Sequence, residues 1–267
     1  MTYNSYEKEV RRIYTIDYYA YGSGMKGWNS QYKAIVAMGA LLFCIGADDW
    51  KVSVFVFLSM GAVTIFAGKF PWRNYLVLLR LPLAFLIMGT AAIVIGFSSV
   101  ARGTVLVSVW GHFLYLQEGG IELACGLVLK AMAALSAMYM LVLSTPAGEI
   151  ISILRRLRVP KIIVELMNMI YRFIFVLMDT QYKMKLAAES RLGFSNFKTS
   201  CRTFGSGAGN LFVISLKKAG VYYDAMAARC YDGDLLFLEE EKKWRGWQVC
   251  AGAGYFLILI LISAVPF

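Results

Sequence analysis

Histidine is almost missing from this chain of 267 residues, which contains only His112. A site built on imidazole ligands needs further histidines, or cysteines and carboxylates at ligand spacing. The five cysteines are scattered and form no Cys-x-x-Cys pair, so they indicate neither a zinc site nor a disulfide framework. We therefore predict no metal site, an interfacial histidine and reduced, mostly buried thiols. The cysteines are Cys44, Cys125, Cys201, Cys230 and Cys250.

A phosphate-binding loop is missing as well. Such a loop needs Gly-x-x-x-x-Gly-Lys-Ser/Thr, so that backbone amides can surround the phosphates. The stretch 193–199 lacks the second glycine, and the glycine cluster 205–209 is not followed by lysine, so we expect that cluster to be a flexible linker. No nucleophile has a plausible base partner, because His112 is predicted on the opposite membrane face from the polar part of the chain. We expect this chain to hold no cofactor and to catalyse nothing by itself.

Acidic residues are scarce, 17 against 27 basic ones, which gives a net charge of +10. The chain is also 59% hydrophobic, with a mean hydropathy of +0.59, well above the usual range of soluble domains. A bilayer core of about 30 Å needs a helix of roughly 20 apolar residues, and several segments approach that length. We predict an integral membrane protein. The candidate spans are 34–47, 52–68, 81–98, 121–144, 162–178 and 249–267.

The basic residues predict the orientation of these spans, since lysine and arginine are enriched in cytoplasmic loops. They precede the first span, follow the second and fill the block 145–246, which assigns those regions to the cytoplasm. The turn at Asp48 and Asp49 and the stretch 100–120 then face outward. The polar residues 1–33 do not resemble a cleavable signal, so we expect the first apolar helix to act in targeting. The basic residues that flank the first two spans on this side are Lys8, Arg11, Arg12, Lys26, Lys33, Lys69, Arg73 and Arg80.

These patterns predict an all-α membrane protein of the plasma membrane, a bundle of about five transmembrane helices with an amphipathic block before the last span. A block of about a hundred polar residues cannot lie within the hydrocarbon layer. We divide the chain into a cytoplasmic segment 1–33, transmembrane helices 34–144, a cytoplasmic or interfacial block 145–246 and a final span 247–267. The C-terminus is expected outside the cell.

The polar block opens with a well-defined helix start. Thr145 is a typical N-cap, Pro146 suits the first helical position, and Glu149 places a negative charge in the first turn. The helix should end before Pro160. Its polar face is basic, which favours a position at anionic lipid headgroups over direct contact with a partner. The basic residues of this face are Arg155, Arg156 and Arg158.

Two further helices of the block end alike. Helical spacing predicts one from Gln181 to Arg191 and another from about Leu211 to Arg229, each with an arginine in its last turn and a glycine soon after. A cation at a helix C-terminus is worth about 0.3–1 kcal/mol, which is one explanation. A guanidinium can also pair with a carboxylate of another chain, and spacing alone leaves both open. The triplets are Ser190-Arg191-Leu192 and Ala228-Arg229-Cys230.

Charges within apolar segments are few. Lys130 lies inside the span 121–144, and we expect it to pair with Glu165 or a carbonyl rather than line a substrate pathway. Glu165, Arg172 and Asp179 interrupt the apolar pattern after residue 161. Charges at that spacing should face protein or an interface.

The chain resembles the transmembrane T components of energy-coupling factor (ECF) transporters, and among them the CbiQ-like branch. The resemblance covers nearly the whole chain and is strongest at 145–146 and 154–160. In that family the central arginine of each triplet ends a coupling helix that docks on an ATPase subunit. The family's commonest triplet is Ala-Arg-Gly, whereas the third position here is Leu192 or Cys230. Other matching segments are 16–20, 28–29, Lys33, 75–82, 171–173 and both arginine triplets.

The resemblance implies a non-catalytic scaffold of an ATP-driven importer. Its partners would be two ABC-type ATPase subunits that bind the ATP, a substrate-binding membrane subunit and the lipid bilayer, with no nucleic acid. It points to cobalt uptake, while a nickel or vitamin importer remains open. The alternative class is a self-contained secondary carrier, which needs converging ionisable residues within its spans. The coupling residues implied are Arg191 and Arg229 with their neighbours Ser190, Leu192, Ala228 and Cys230.

Overall fold

The computed structural model describes residues 15–47, 49–98, 104–109, 112–116, 119–232, 242, 244 and 246–264. This part of the chain is mainly helical, which confirms the predicted fold class. A π-helical turn, Val63–Ala67, extends the third helix. The helices are α1 (Thr15–Gly22), α2 (Ser30–Gly46), α3 (Trp50–Ala62), α4 (Trp72–Val94), α5 (Gly120–Ser144), α6 (Ala147–Arg156), α7 (Lys161–Ser190), α8 (Phe197–Ala227) and α9 (Gly246–Ala264).

Four helical segments of the described chain are long and apolar enough to cross a membrane, and α2 is an apolar helix of shorter length. The chain is therefore a multi-pass membrane protein, as predicted. The predicted span 81–98 has the wrong ends, because α4 begins at Trp72 and ends at Val94 with Pro82 inside it. The exposed arginines near the start of α4 do not stop the helix, since long side chains keep their charges in water. The four segments are Trp50–Ala67, Trp72–Ala92, Gly120–Ser144 and Gly246–Ala264.

The connection between α4 and α5 contains a small antiparallel sheet that the sequence analysis did not predict. Its strands are β1 (Ile95–Ser98), β2 (Thr104–Val109) and β3 (His112–Leu116), in the order β1-β3-β2. Ile95 pairs with Leu116, and the pairing of β2 with β3 is irregular between Val105 and Val107. The valine-rich run of β2 is the signal that could have predicted a strand.

The chain divides into two compact units, residues 1–150 with 241–267 and residues 151–240. In the first unit α5 is the central helix and packs against α1, α2, α3 and α4. Small residues let these helices approach closely. Gly39 of α2 lies directly against the ring of Phe256 in α9, and a Cβ added there would force that ring to move. The core includes Val36, Ala37, Ala40, Val52, Val56, Met60, Ala133, Ala137, Met140 and Leu259.

In the second unit, α7 and α8 are longer than predicted. The stretch from Lys161 to Ser190 is one helix of 30 residues, which agrees with its lack of glycine and proline. The prediction that 205–209 is a flexible linker is wrong, since α8 runs through it from Phe197 to Ala227. Each glycine costs a helix about 0.8–1.0 kcal/mol, but cooperative helix formation over a segment of this length outweighs that preference. The rings of Phe173 and Tyr222 pack α7 against α8 at 4.8 Å.

Candidate functional site

The first arginine triplet forms a Schellman turn at the end of α7. The N–H of Gly193 donates to the carbonyl of Ala188 at 2.9 Å, and the N–H of Leu192 donates to the carbonyl of Glu189 at 3.0 Å. Leu192 has a φ of 55°, in the left-handed region that this motif requires and that glycine usually occupies. Arg191 is the last residue before the left-handed position.

Gly193 was expected to terminate α7, and its actual position is one residue beyond the left-handed turn. A Cβ added there would lie 2.9 Å from the carbonyl oxygen of Ala188 and 3.0 Å from Oγ1 of Thr203. The Thr203 hydroxyl also donates to the carbonyl of Gly193 at 2.8 Å. The glycine is therefore needed for the close approach of α8 to the end of α7.

The second triplet repeats the turn at the end of α8. The N–H of Tyr231 donates to the carbonyl of Met226 at 3.1 Å, and the N–H of Cys230 donates to the carbonyl of Ala227 at 3.0 Å. Cys230 has a φ of 59°. Arg229 thus occupies the same position relative to its turn as Arg191. Gly233, the glycine expected after this helix, lies outside the described residues.

The third residue of each triplet is strained and exposed. A side chain with a Cβ costs roughly 1–2 kcal/mol in the left-handed conformation. Leu192 nevertheless leaves 75% of its surface exposed, and Cys230 is exposed as well. Both arginines are exposed, and within the described part of the chain neither guanidinium forms an ion pair. These ends present strained apolar side chains and available hydrogen-bond donors to their surroundings.

The helix α6 ends as predicted before Pro160, and it too closes on a left-handed residue. Arg158 has a φ of 62°, and the N–H of Val159 donates to the carbonyl of Leu154 at 3.4 Å. The start of α6 has a partner that the sequence did not predict. The N–H of Ala147 donates to Oδ1 of Asp17 at 3.4 Å, so a carboxylate distant in sequence serves this end.

A group of charged residues that the sequence analysis did not single out surrounds the turn between α5 and α6. Lys33, expected among the cytoplasmic charges, lies in the first turn of α2 and is completely buried. Its ammonium donates to the carbonyl of Ser144 at 2.7 Å and to that of Met25 at 3.4 Å. Asn29 caps α2 by accepting from the N–H of Gln31 at 2.9 Å, and this cap signal could have placed Lys33 inside the helix.

Glu149 is the centre of this group. Its carboxylate accepts hydrogen bonds from Oγ of Ser30 and from Nζ of Lys242, the latter at 2.5 Å. Nζ of Lys33 lies 3.9 Å from the same carboxylate. The carbonyl of Lys242 in turn accepts from the side chain of Asn29 at 2.5 Å. We call residues 144–149 with these side chains the α5–α6 elbow.

Comparison with known proteins decides the family. The family model of CbiQ, described as cobalt transport protein, matches residues 23–243 of the chain. This chain belongs to the CbiQ family. The match includes both arginine triplets and the whole elbow, and it confirms the resemblance found in the sequence.

Named and unnamed relatives agree with this membership. An uncharacterised protein of Methanocaldococcus jannaschii is 32% identical over 224 residues, which cover 84% of this chain and 83% of the relative. The cobalt transport protein CbiQ of Rhodobacter capsulatus is 28% identical, over 77% of this chain and 80% of its own. A protein of Methanocorpusculum labreanum named as a fused cobalt transport protein CbiMQ is 30% identical over 79% of this chain, but only 37% of the relative is covered.

Among the described residues of this CbiQ family member, no group of three or more histidine, cysteine, aspartate or glutamate side chains could hold a metal ion. The side chain of His112 lies outside what the structure describes. The coupling roles of Arg191 and Arg229 and the pairing of Lys130 with Glu165 stay predictions. Glu165 is buried, although the segment around it is mostly exposed.

Proposed function

We propose that this protein is the non-catalytic transmembrane scaffold of an ATP-driven ECF importer, which couples a pair of ABC-type ATPase subunits to a substrate-binding membrane subunit during cobalt uptake. The observation that carries the proposal is the repeated helix end. Two long helices close with the same turn, each with an exposed arginine before a strained, exposed third residue. The family description and the relatives named as cobalt transport proteins support cobalt as the substrate.

Docking of the two helix ends gives the coupling a physical basis. Arg191 and Arg229 each present a planar guanidinium with five donors, which suits bidentate pairing with a carboxylate in a groove of one ATPase subunit. Their neighbours Ser190, Leu192, Ala228 and Cys230 complete the two contacts. Closing and opening of the ATPase pair upon ATP binding and hydrolysis then moves α7 and α8, which pack together through Phe173 and Tyr222.

The remaining assignments follow from this arrangement. The N-terminal segment and the block 145–246 face the cytoplasm, where the ATPase subunits bind ATP, and the C-terminus lies outside the plasma membrane. This chain binds no cofactor, and metal selection belongs to the substrate-binding subunit. The fused relative supports a partner within the membrane, because its printed name joins CbiM to CbiQ and much of its length lies beyond this chain.

Purification of the tagged protein from its native membrane in mild detergent tests the proposal. A pair of ATPase subunits and a small membrane protein should co-purify, and the complex in proteoliposomes should take up cobalt only with ATP. Uptake assays with nickel and with vitamins decide between this substrate and the other importers of the class. Cobalt transport by the chain alone would show that it is a self-contained carrier.

A further inference from the structure

We propose that the α5–α6 elbow holds the first turn of α6 against α2 and the segment before α9, and that Glu149 and Lys242 are positioning residues for the coupling of ATP hydrolysis to uptake. The inference rests on the proposed function. It concerns residues outside both arginine triplets, and it assigns a role to charges that the docking of Arg191 and Arg229 does not use.

The elbow joins three segments that are distant in sequence. The carboxylate of Glu149 is reached by Ser30, which is 119 residues away, and by Lys242, which is 93 residues away. A hydrogen bond from Asn29 to the carbonyl of Lys242 closes the group. The start of α6 is thus tied both to the first turn of α2 and to the segment that precedes α9.

Burial makes these ties stronger than ordinary surface pairs. The side chain of Lys33 is fully buried, and those of Lys242 and Glu149 are only 15% and 20% exposed. Where water is largely excluded, charge pairs and hydrogen bonds are less screened, and a satisfied network favours one arrangement. The ammonium groups of Lys33 and Lys242 both face the carboxylate of Glu149. The ammonium of Lys33 also donates to the carbonyl of Ser144.

The position of each charge suits the helix end beside it. The ammonium of Lys33 contacts the C-terminal carbonyl of α5, and the carboxylates of Asp17 and Glu149 lie at the N-terminus of α6, so these three contacts are favourable with respect to the dipoles of α5 and α6. The backbone between the helices is extended at Thr145 and restricted at Pro146. The charges and the restricted backbone together hold the first turn of α6 in place.

A firmly held start of α6 is what mechanical coupling needs. If the elbow loosens, α6 can tilt at its base, and movement delivered by the ATPase subunits is absorbed there before it reaches the membrane bundle. Variants of the elbow should therefore hydrolyse ATP normally but import less substrate for each ATP. Loss of a docking arginine, in contrast, should separate the ATPase subunits from the complex.

The experiment uses the complete complex in proteoliposomes and measures subunit content, ATP hydrolysis and cobalt uptake. Glu149→Gln keeps the shape of the side chain and removes its charge. We expect this variant to import at least fivefold less cobalt per ATP hydrolysed. Its subunit content and its rate of ATP hydrolysis should stay within twofold of those of the unaltered complex. Lys242→Gln should act in the same direction, and Lys242→Arg should restore the ratio. Glu122→Gln is the matched control, because Glu122 is an exposed acid in the first turn of α5.

Unchanged import per ATP in Glu149→Gln and Lys242→Gln overturns the role of the elbow and leaves the proposed function intact. If Glu149→Gln does not assemble, Lys242→Gln decides. Failure of assembly in both variants overturns the inference too, because the elbow is then needed only for folding. An unaltered protein that brings no ATPase pair with it, or transports without ATP, overturns the proposed function and this inference together.

Discussion

The elbow and the ends of α7 and α8 use charge in opposite ways. At the elbow, Lys33 and Glu149 are buried or nearly so, and each has several partners within the chain. At the helix ends, Arg191 and Arg229 are exposed and follow regular helix, next to residues in a strained conformation. Buried, paired charges hold a structure in place, whereas exposed donors on a strained turn are available to another chain.

Reversal of both arginines should produce the largest effect and tests the exposed side of this comparison. Loss of one partner of a buried, hydrogen-bonded charge pair at an interface costs about 2–5 kcal/mol, or roughly 30-fold or more in affinity. We expect Arg191→Glu with Arg229→Glu to abolish co-purification of the ATPase pair, while thermal unfolding in detergent stays unchanged. Arg202→Glu, an exposed position within α8, is the control. Unchanged co-purification of the double variant would contradict the docking role.

Replacement of Lys33 tests the buried side. Lys33→Met leaves the carbonyl of Ser144 without its ammonium partner and removes one cation from Glu149, and breaking a buried charge network in this way costs about 3–5 kcal/mol. The free energy of unfolding in detergent should fall by that amount. Lys183→Met removes an exposed pair with Asp179 and should change it by less than about 0.5 kcal/mol. If Lys33→Met and Lys183→Met lower the free energy of unfolding equally, the buried charges of the elbow are no more important for stability than exposed pairs.

A glycine at position 192 separates strain from docking. Leu192→Gly relieves the left-handed conformation and should stabilise the isolated protein by about 1 kcal/mol, as measured by thermal unfolding. The same variant should dock the ATPase pair more weakly, because it removes an exposed apolar contact. Leu186→Gly, within α7, should instead destabilise the protein by about 1 kcal/mol. Stronger docking of Leu192→Gly would show that the leucine contributes no contact.

The smallest expected effect concerns the glycine cluster in α8. A Cβ at Gly207 meets no atom within 4 Å, so Gly207→Ala should stabilise the helix by about 0.8–1.0 kcal/mol. If 205–209 were a flexible linker, alanine would change neither the helix content seen by circular dichroism nor the unfolding midpoint. Hydrogen exchange of the amides around Gly207 provides a second measurement, with slow exchange expected for a helix.

Much of the fold could be predicted from local pattern. Apolar length located the four helices able to cross a membrane, although it also selected 162–178, which lies within α7 and is not among them. Pro160 located the end of α6. The linker prediction failed because helix formation is cooperative over a long segment. The glycines of 205–209 disfavour helix individually, but they lie within a 31-residue helix that packs against α7.

The site was predictable only in part. Two arginines near helix ends could be selected from sequence, but their common turn could not, because Leu192 and Cys230 are unusual choices for a left-handed position. Lys33 was counted with the cytoplasmic charges because nothing near it in sequence shows what buries it. Its partners at Ser144 and Glu149 are more than a hundred residues away.

The sequence by itself determined that this protein lies in a membrane and that it carries a basic polar block before its last helix. It also determined where two arginines follow helical segments. These properties depend on composition and on spacing along one helix. Only the tertiary structure decided which charges are buried. Burial of Lys33 beside Glu149 requires α2, α6 and the segment before α9 to meet, and the free energy of a charge depends on the partners and the water around it, which sequence order does not specify.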